Sequence, residues 1–215
     1  MDIIKLMQTL SSERSIFHSE ADFQHALAWQ MHVQSPESRI RLEYPLDYEK
    51  GGHLDILLAE GNRQLAFELK YKKRNFSAIV QQEIYSLRTD SAEDTGRYDY
   101  LKDVQRLEQF VSGRPNASGY AILLTNYSLY WRDSPRQTAS NAFRLTQGRT
   151  ITGTLTWSST AGEGTISGRA SPITLRGTYV CNWKDYSEFS PTDYVIGDNR
   201  VSVAGTKFRY LLSAV

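Results

Sequence analysis

The sequence contains a single cysteine, Cys181, which excludes an internal disulfide and a metal site built from several thiolates. No apolar run in it reaches the roughly 18 residues that a membrane-spanning helix needs. The first five residues lack the basic start and apolar core of a secretory signal, so we expect a cytoplasmic protein. The net charge is only +1, so overall charge does not by itself indicate a nucleic-acid partner.

The 215 residues are enough for one sizeable domain, or for a core with an appended module. Their basic residues are unevenly distributed. From Asn126 to Arg176 lysine is absent, and six arginines stand against two acids. An arginine-only region suits bidentate contacts with phosphate or guanine, although a solvated surface would have the same composition.

Hydrophobic periodicity predicts a mixed α/β fold. Ser19 can cap a helix whose apolar face carries Glu20. The expected order is helix, three strands, two helices and a buried strand, over residues 19–35, 39–46, 53–60, 64–72, 76–88, 99–112 and 119–125. We expect these elements to form a core over residues 1–140. Residues 141–215 are β-rich and are expected to extend the sheet or to form a small β subdomain.

The dipeptide Gly61-Asn62 is suited to a two-residue hairpin turn between the strands 53–60 and 64–72. With these as the central turn residues, paired positions place Asp55 opposite Glu68 and His53 opposite Lys70. Side chains alternate along a strand, so all four would project from one face. Leu54, Ile56, Leu58, Leu65, Phe67 and Leu69 would project from the other.

Two half-buried carboxylates held about 5 Å apart by this pairing repel each other unless a cation lies between them. Oxygen ligands suit a hard ion, so Asp55 and Glu68 predict a Mg²⁺ or Mn²⁺ site. The ammonium group of Lys70 would then face a water molecule or phosphate held by that ion. The alternative is a buried salt bridge that links the two strands.

Asp55, followed by Glu68-Leu69-Lys70 on the next strand, resembles the D…(D/E)-x-K signature of the PD-(D/E)XK nucleases, which have the restriction-endonuclease-like fold. Glu68-Leu69-Lys70 is the only (D/E)-x-K tripeptide in the chain. The usual proline before the first acid is absent, and Pro45-Leu46-Asp47 offers a rival acid. We prefer Asp55, because the turn places it beside Glu68.

The resemblance covers roughly residues 15–127 and implies an αβββαβ sandwich core with metal-dependent phosphodiester hydrolysis. Asp55, Glu68 and the carbonyl of Leu69 would hold Mg²⁺, for which Mn²⁺ could substitute. Glu20 would hold a second ion or a water molecule, and Lys70 would orient the attacking water or stabilise negative charge. Some branches carry Gln-x-x-x-Tyr on the next helix, which Gln81 and Tyr85 match by spacing.

The resemblance therefore implies a Mg²⁺-dependent deoxyribonuclease of a restriction or phage-defence type. Lys72, Lys73, Arg74 and Gln81 are candidate DNA contacts, and the β-rich extension is a candidate for target recognition or dimerisation. Two cuts in a duplex usually need two active sites, so a homodimer is compatible with this hypothesis. The alternatives are a repair, transposition or RNA-directed nuclease on the same fold, and a non-catalytic nucleic-acid-binding protein that retains the fold.

Overall fold

The computed structural model describes residues 1–90, 92–194 and 205–215. Its helices are α1 Ile3–Glu13, α2 Glu20–Gln34, α3 Glu93–Val111 and the single turn α4 Glu163–Ile166. Its strands are β1 Arg39–Pro45, β2 His53–Glu60, β3 Arg63–Lys72, β4 Phe76–Val80, β5 Glu83–Leu87, β6 Ala117–Thr125, β7 Thr150–Leu155, β8 Ile173–Val180, β9 Lys184–Glu188 and β10 Lys207–Ala214. Short 3-10 turns lie at Ser128–Tyr130 and Asn141–Phe143.

A six-stranded mixed sheet in the order β1-β2-β3-β6-β10-β9 is the centre of the described fold. Strands β3 and β6 run parallel, and their other sheet neighbours run antiparallel. A parallel pair needs a crossover connection, and α3 lies within the one that joins β3 to β6. The fold is therefore α/β, as the sequence predicts.

Both faces of the sheet are covered. One face packs against α1, α2 and the hairpin β4–β5, and the other packs against α3 and the separate pair β7–β8. Successive residues of β6 alternate between the two layers: Ile122 lies in the first and Leu123 in the second, each with 0 % exposure. Full burial of one such side chain stabilises the fold by roughly 1.5–3 kcal/mol.

The hairpin register predicted from Gly61-Asn62 is confirmed next to the turn, but the predicted pairs Asp55–Glu68 and His53–Lys70 lie beyond the end of the ladder and are not formed. Gly61 has a φ of 58°, and the β2–β3 ladder runs from the pair Glu60–Arg63 to the pair Ile56–Phe67. The prediction for Leu54 is wrong, because Leu54 packs in the layer of α3 rather than with Ile56. The regular alternation of β2 breaks next to Asp55.

The helix predicted over 76–88 is wrong, because these residues form the hairpin β4–β5. Gln81 and Gln82 are its turn residues, with φ values of 49° and 68°, as a type I′ turn requires. Tyr85 therefore lies across from Ala78 on the neighbouring strand, and Gln81 does not share a helix face with it. The helix predicted over 99–112 begins earlier, at Glu93.

The C-terminal residues use both arrangements that the sequence left open. Strands β9 and β10 extend the main sheet beyond β6, whereas β7 and β8 form their own two-stranded sheet against α3. Residues 195–204 of this extension lie outside the described residues. None of the helices in the described ranges combines the length and apolarity needed to cross a membrane.

Candidate nuclease site at the open edge of strand β3

The site lies where β2 stops pairing with β3. β2 continues beside β1 as far as His53, but its ladder with β3 ends at Ile56. β3 continues beside β6 to Lys72, so its last residues present a free edge on the β2 side. Two carboxylates occupy that edge: Asp55 Oδ2 accepts the backbone N–H of Leu69 at 2.5 Å, and Glu20 Oε2 accepts that of Tyr71 at 2.7 Å.

Glu20 reaches β3 because it stands in the first turn of α2. Ser19 caps this helix, and its side chain accepts a hydrogen bond from the N–H of Asp22. Phe23 and Leu27, at 0 % exposure, anchor the helix face in the core. An acid in the first turn is also favoured by the helix dipole. Glu20 therefore lies against β3, and its role in holding a second ion or a water molecule stays a prediction.

The side chains of Glu68 and Lys70 point towards α3, on the face of the sheet opposite the one that packs against α2. Glu68 Oε1 lies 3.0 Å from Arg106 Nη1, and Lys70 Nζ lies 2.7 Å from Asp103 Oδ2. Arg106 also contacts Asp103 at 3.1 Å. The ion pairs of the site thus join β3 to α3. The buried salt bridge between β2 and β3 that the sequence left open is not observed in the described residues of these strands.

Asp103 and Arg106 are site residues that the sequence does not predict. They lie three positions apart on α3, which places them on neighbouring positions of one helix face. Arg106 also pairs with Glu49 at 3.0 Å, in the loop before β2. The only sequence signal is a pair of opposite charges three positions apart in the helix predicted over 99–112.

Burial and like charge raise the pKa values of the site carboxyls. Burial raises the pKa of Asp55 to about 6, against the lowering effect of Lys70 and the Leu69 N–H. Burial, followed by the negative charges of Asp103 and Asp55, raises the pKa of Glu68 to about 9. Burial also raises the pKa of Asp103. Three carboxyls therefore face the two cations Lys70 and Arg106, and an additional cation would be stabilised here.

Lys70 stays protonated in this environment. Burial alone would lower its pKa, but Asp103, Glu20 and Asp55 outweigh burial, and the net pKa is raised. Its ammonium also donates to the Leu69 carbonyl at 3.2 Å. Lys70 can therefore supply positive charge and hydrogen bonds to an anion, and it is not suited to act as a general base.

The candidate metal-ligand atoms where β2 and β3 stop pairing are oxygens, which suit a hard divalent cation. Asp55 and Glu20 each use one carboxylate oxygen for a β3 N–H, and the second oxygen of each forms no hydrogen bond within the described residues. Across the same ranges, no three His, Cys, Asp or Glu side chains are close enough together to form a ready-made metal cage. Any ion here would therefore need carbonyl or water ligands besides Asp55 and Glu68.

The basic residues that follow the site in the sequence differ in the contacts that their side chains already make within the protein. Lys73 lies 3.4 Å from Asp90, and the guanidinium of Arg74 lies 4.5 Å from the ring centroid of Tyr127. Lys72 forms no ion pair with a described residue. The rival acid Asp47 is largely exposed and lies 3.9 Å from Arg114, outside the β3 edge.

We compared the chain with protein-family models, with curated proteins and with solved structures, and none of them matches.

Proposed function

We propose that this protein is a divalent-cation-dependent deoxyribonuclease with a restriction-endonuclease-like core, in a restriction or phage-defence role. The observation that supports the proposal is the contact of Asp55 and Glu20 with the segment of β3 that carries Glu68, Leu69 and Lys70. Asp55 and Glu20 each accept a backbone N–H of β3 where β2 leaves β3. Glu68, Leu69 and Lys70 belong to that same segment of β3, with the side chains of Glu68 and Lys70 turned towards α3. Glu20 and Tyr71 are 51 residues apart in the sequence, so the fold brings them into contact.

The order of the elements supports the proposal. Helix α2, strands β1, β2 and β3, helix α3 and strand β6 follow the αβββαβ order that the resemblance implies. The sheet places β6 parallel to β3, after an α3 crossover. In this interpretation the hairpin β4–β5 is an insertion between β3 and α3, and β9 and β10 are additions to the far side of the sheet.

In the proposed reaction Asp55 and Glu68 hold Mg²⁺ or Mn²⁺, with the Leu69 carbonyl as a further oxygen ligand. When bound, the ion polarises the scissile phosphate and lowers the pKa of the attacking water. Lys70, kept protonated by Asp103, orients that water or stabilises the negative charge that develops on the phosphate. Arg106 holds the Glu68 carboxyl group in place from α3. Glu20 orients the β3 edge and presents its free oxygen to water.

Cleavage of supercoiled and linear DNA tests the proposal. The protein is incubated with Mg²⁺, with Mn²⁺ and with a chelator, beside Lys70→Ala and the control Lys5→Ala, which removes an exposed lysine on α1. We expect metal-dependent cutting by the wild type and by Lys5→Ala, and at least a hundredfold slower cutting by Lys70→Ala. Equal cutting by both variants would contradict the role of Lys70. Parallel RNA substrates separate a deoxyribonuclease from an RNA-directed nuclease on the same fold.

A second candidate is a non-catalytic nucleic-acid-binding protein that retains this fold. The ion pairs Glu68–Arg106 and Lys70–Asp103 favour it, because both central side chains already have protein partners. In that case DNA binding would be insensitive to chelator and would survive in Lys70→Ala. Metal-dependent cutting that is lost in Lys70→Ala would exclude this candidate.

A further inference from the structure

A pocket of about 500 Å³ lies between the start of α3 and the segment that follows β6. Four arginines line it, one from α3 and three from the arginine-only region of the sequence: Arg97, Arg132, Arg136 and Arg144. Two acids of the first helical turn, Glu93 and Asp94, lie on the same wall. Four guanidinium groups against two carboxylates leave two positive charges uncompensated within this lining.

Arg97 is the buried member of the group, with 8 % exposure. Its Nη2 donates to the Leu129 carbonyl at 2.7 Å, and its guanidinium lies 5.6 Å from the ring centroid of Tyr130. Among the described residues, its buried Nε has no hydrogen-bond partner and no carboxylate forms an ion pair with its guanidinium. Because a buried charge without a counter-ion is costly, this position is one that an anion would stabilise.

Arg144, which also lines the pocket, holds in place the loop that carries Arg132 and Arg136. Arg144 donates to the backbone carbonyl of Ser134 at 2.6 Å and to that of Arg136. These bonds keep the loop folded over the start of α3, with Arg132 and Arg136 on the pocket wall. The pocket is also lined by four residues with hydroxyl groups: Ser134, Thr138, Ser140 and Thr146.

We propose that this pocket binds a phosphate group. Guanidinium forks match phosphate oxygens in pairs, and hydroxyl donors add to them. The site is also close to the candidate nuclease site: Arg97 and Asp103 are six residues apart on α3, a rise of about 9 Å. An added Cβ at the neighbouring Gly96 would lie 3.3 Å from Lys72 Cε, so Lys72 runs along the same end of the helix.

We assign the phosphate to a nucleic-acid strand, and that assignment rests on the proposed function. Phosphate binding itself does not. It can be measured in chelator, without cleavage, so failure of one proposal is distinguishable from failure of the other.

The test is titration of metal-free protein with inorganic phosphate, at constant ionic strength set with chloride. It compares the wild type, Arg97→Met and the control Arg63→Met, which removes an exposed arginine at the start of β3. We expect saturable phosphate binding by the wild type and by Arg63→Met, and at least tenfold weaker binding by Arg97→Met. No saturable binding by the wild type, or equal binding by Arg97→Met, would overturn the proposal.

Two further arms complete the test. If Arg97→Met does not fold, the double variant Arg132→Gln/Arg136→Gln replaces it, and undiminished phosphate binding by that variant overturns the pocket. A short DNA oligonucleotide is then added as competitor. Displacement of inorganic phosphate by the oligonucleotide supports the nucleic-acid source. Unchanged phosphate binding in saturating oligonucleotide would overturn that assignment.

Discussion

The carboxylate of Asp55 accepts a hydrogen bond from the backbone N–H of Leu69 at 2.5 Å, across the point where β2 and β3 cease to pair. This contact replaces one rung of the β ladder with a side chain. The same contact holds Asp55 against the Glu68-Leu69-Lys70 segment. The end of the β2–β3 ladder and the position of Asp55 beside Glu68-Leu69-Lys70 therefore have the same structural cause.

Substitution of Asp55 separates its charge from its hydrogen bond. Asn retains an oxygen that can accept from the Leu69 N–H, so we expect Asp55→Asn to keep or slightly increase metal-free stability, because like-charge repulsion falls. Ala leaves the N–H without this acceptor and is expected to lower the free energy of unfolding by roughly 1–3 kcal/mol. Denaturant unfolding in chelator measures both. Equal, marked losses in the two variants would mean that the charge itself holds the strand edge, as in a structural salt bridge.

The metal-free protein should lose stability as the pH rises from about 4 to about 9. The pKa values of Asp55 and Glu68 are raised in the folded state to about 6 and about 9. The folded protein therefore binds protons more tightly than the unfolded chain over this interval, and the free energy of unfolding falls with pH. Unfolding midpoints in chelator check this, with Glu68→Gln expected to flatten the upper half of the curve. A rise in stability from pH 6 to 9 that Glu68→Gln removes would contradict the direction of the Glu68 shift.

Removal of Arg106 should destabilise the fold strongly. Arg106→Leu removes the cation beside the Glu68 carboxyl group, 1 % exposed, and leaves Asp103, 6 % exposed, with Lys70 as its partner. Loss of one partner of a buried pair typically costs about 3–5 kcal/mol. The matched control is Glu49→Gln, which removes the more exposed partner of Arg106 and is expected to cost less than about 1 kcal/mol. Similar losses in the two variants would contradict a buried role for the Glu68–Arg106 pair.

Replacement of Gln81-Gln82 with Asn-Gly should stabilise the protein by about 1 kcal/mol. Both residues adopt left-handed φ values in the β4–β5 turn, which Asn and Gly favour. In a helix, the same glycine would destabilise by about 1 kcal/mol. The sign of the change in melting temperature therefore distinguishes the hairpin from the helix that the sequence predicts.

Much of the core follows from local signals in the sequence. Gly61-Asn62 determines the β2–β3 register, because a two-residue turn leaves only one pairing. Ser19 marks the start of α2, and the unbroken apolar run 119–125 marks a strand covered on both faces. From that register, the approach of Asp55 to Glu68-Leu69-Lys70 is predictable from the sequence alone.

The failures have equally local causes. The β4–β5 turn carries neither glycine nor asparagine, so Gln81-Gln82 offers no turn signal. The helix α1 lies outside the predicted elements, although Ile3, Leu6, Met7 and Leu10 have helical spacing and Asp2 caps it. Asp103 and Arg106 could not be assigned to the site, because the packing of α3 against β3 is a long-range contact that no local pattern encodes.

Titration with Mn²⁺ tests the central claim most directly, because it measures whether Asp55 and Glu68 hold a divalent cation. Free Mn²⁺ is followed by electron paramagnetic resonance, with the wild type, Asp55→Asn, Glu68→Gln and the control Asp47→Asn, which removes the rival acid near Arg114. We predict binding by the wild type and by Asp47→Asn, and at least tenfold weaker binding by the other two variants. No binding by the wild type, or binding lost only in Asp47→Asn, would contradict the account.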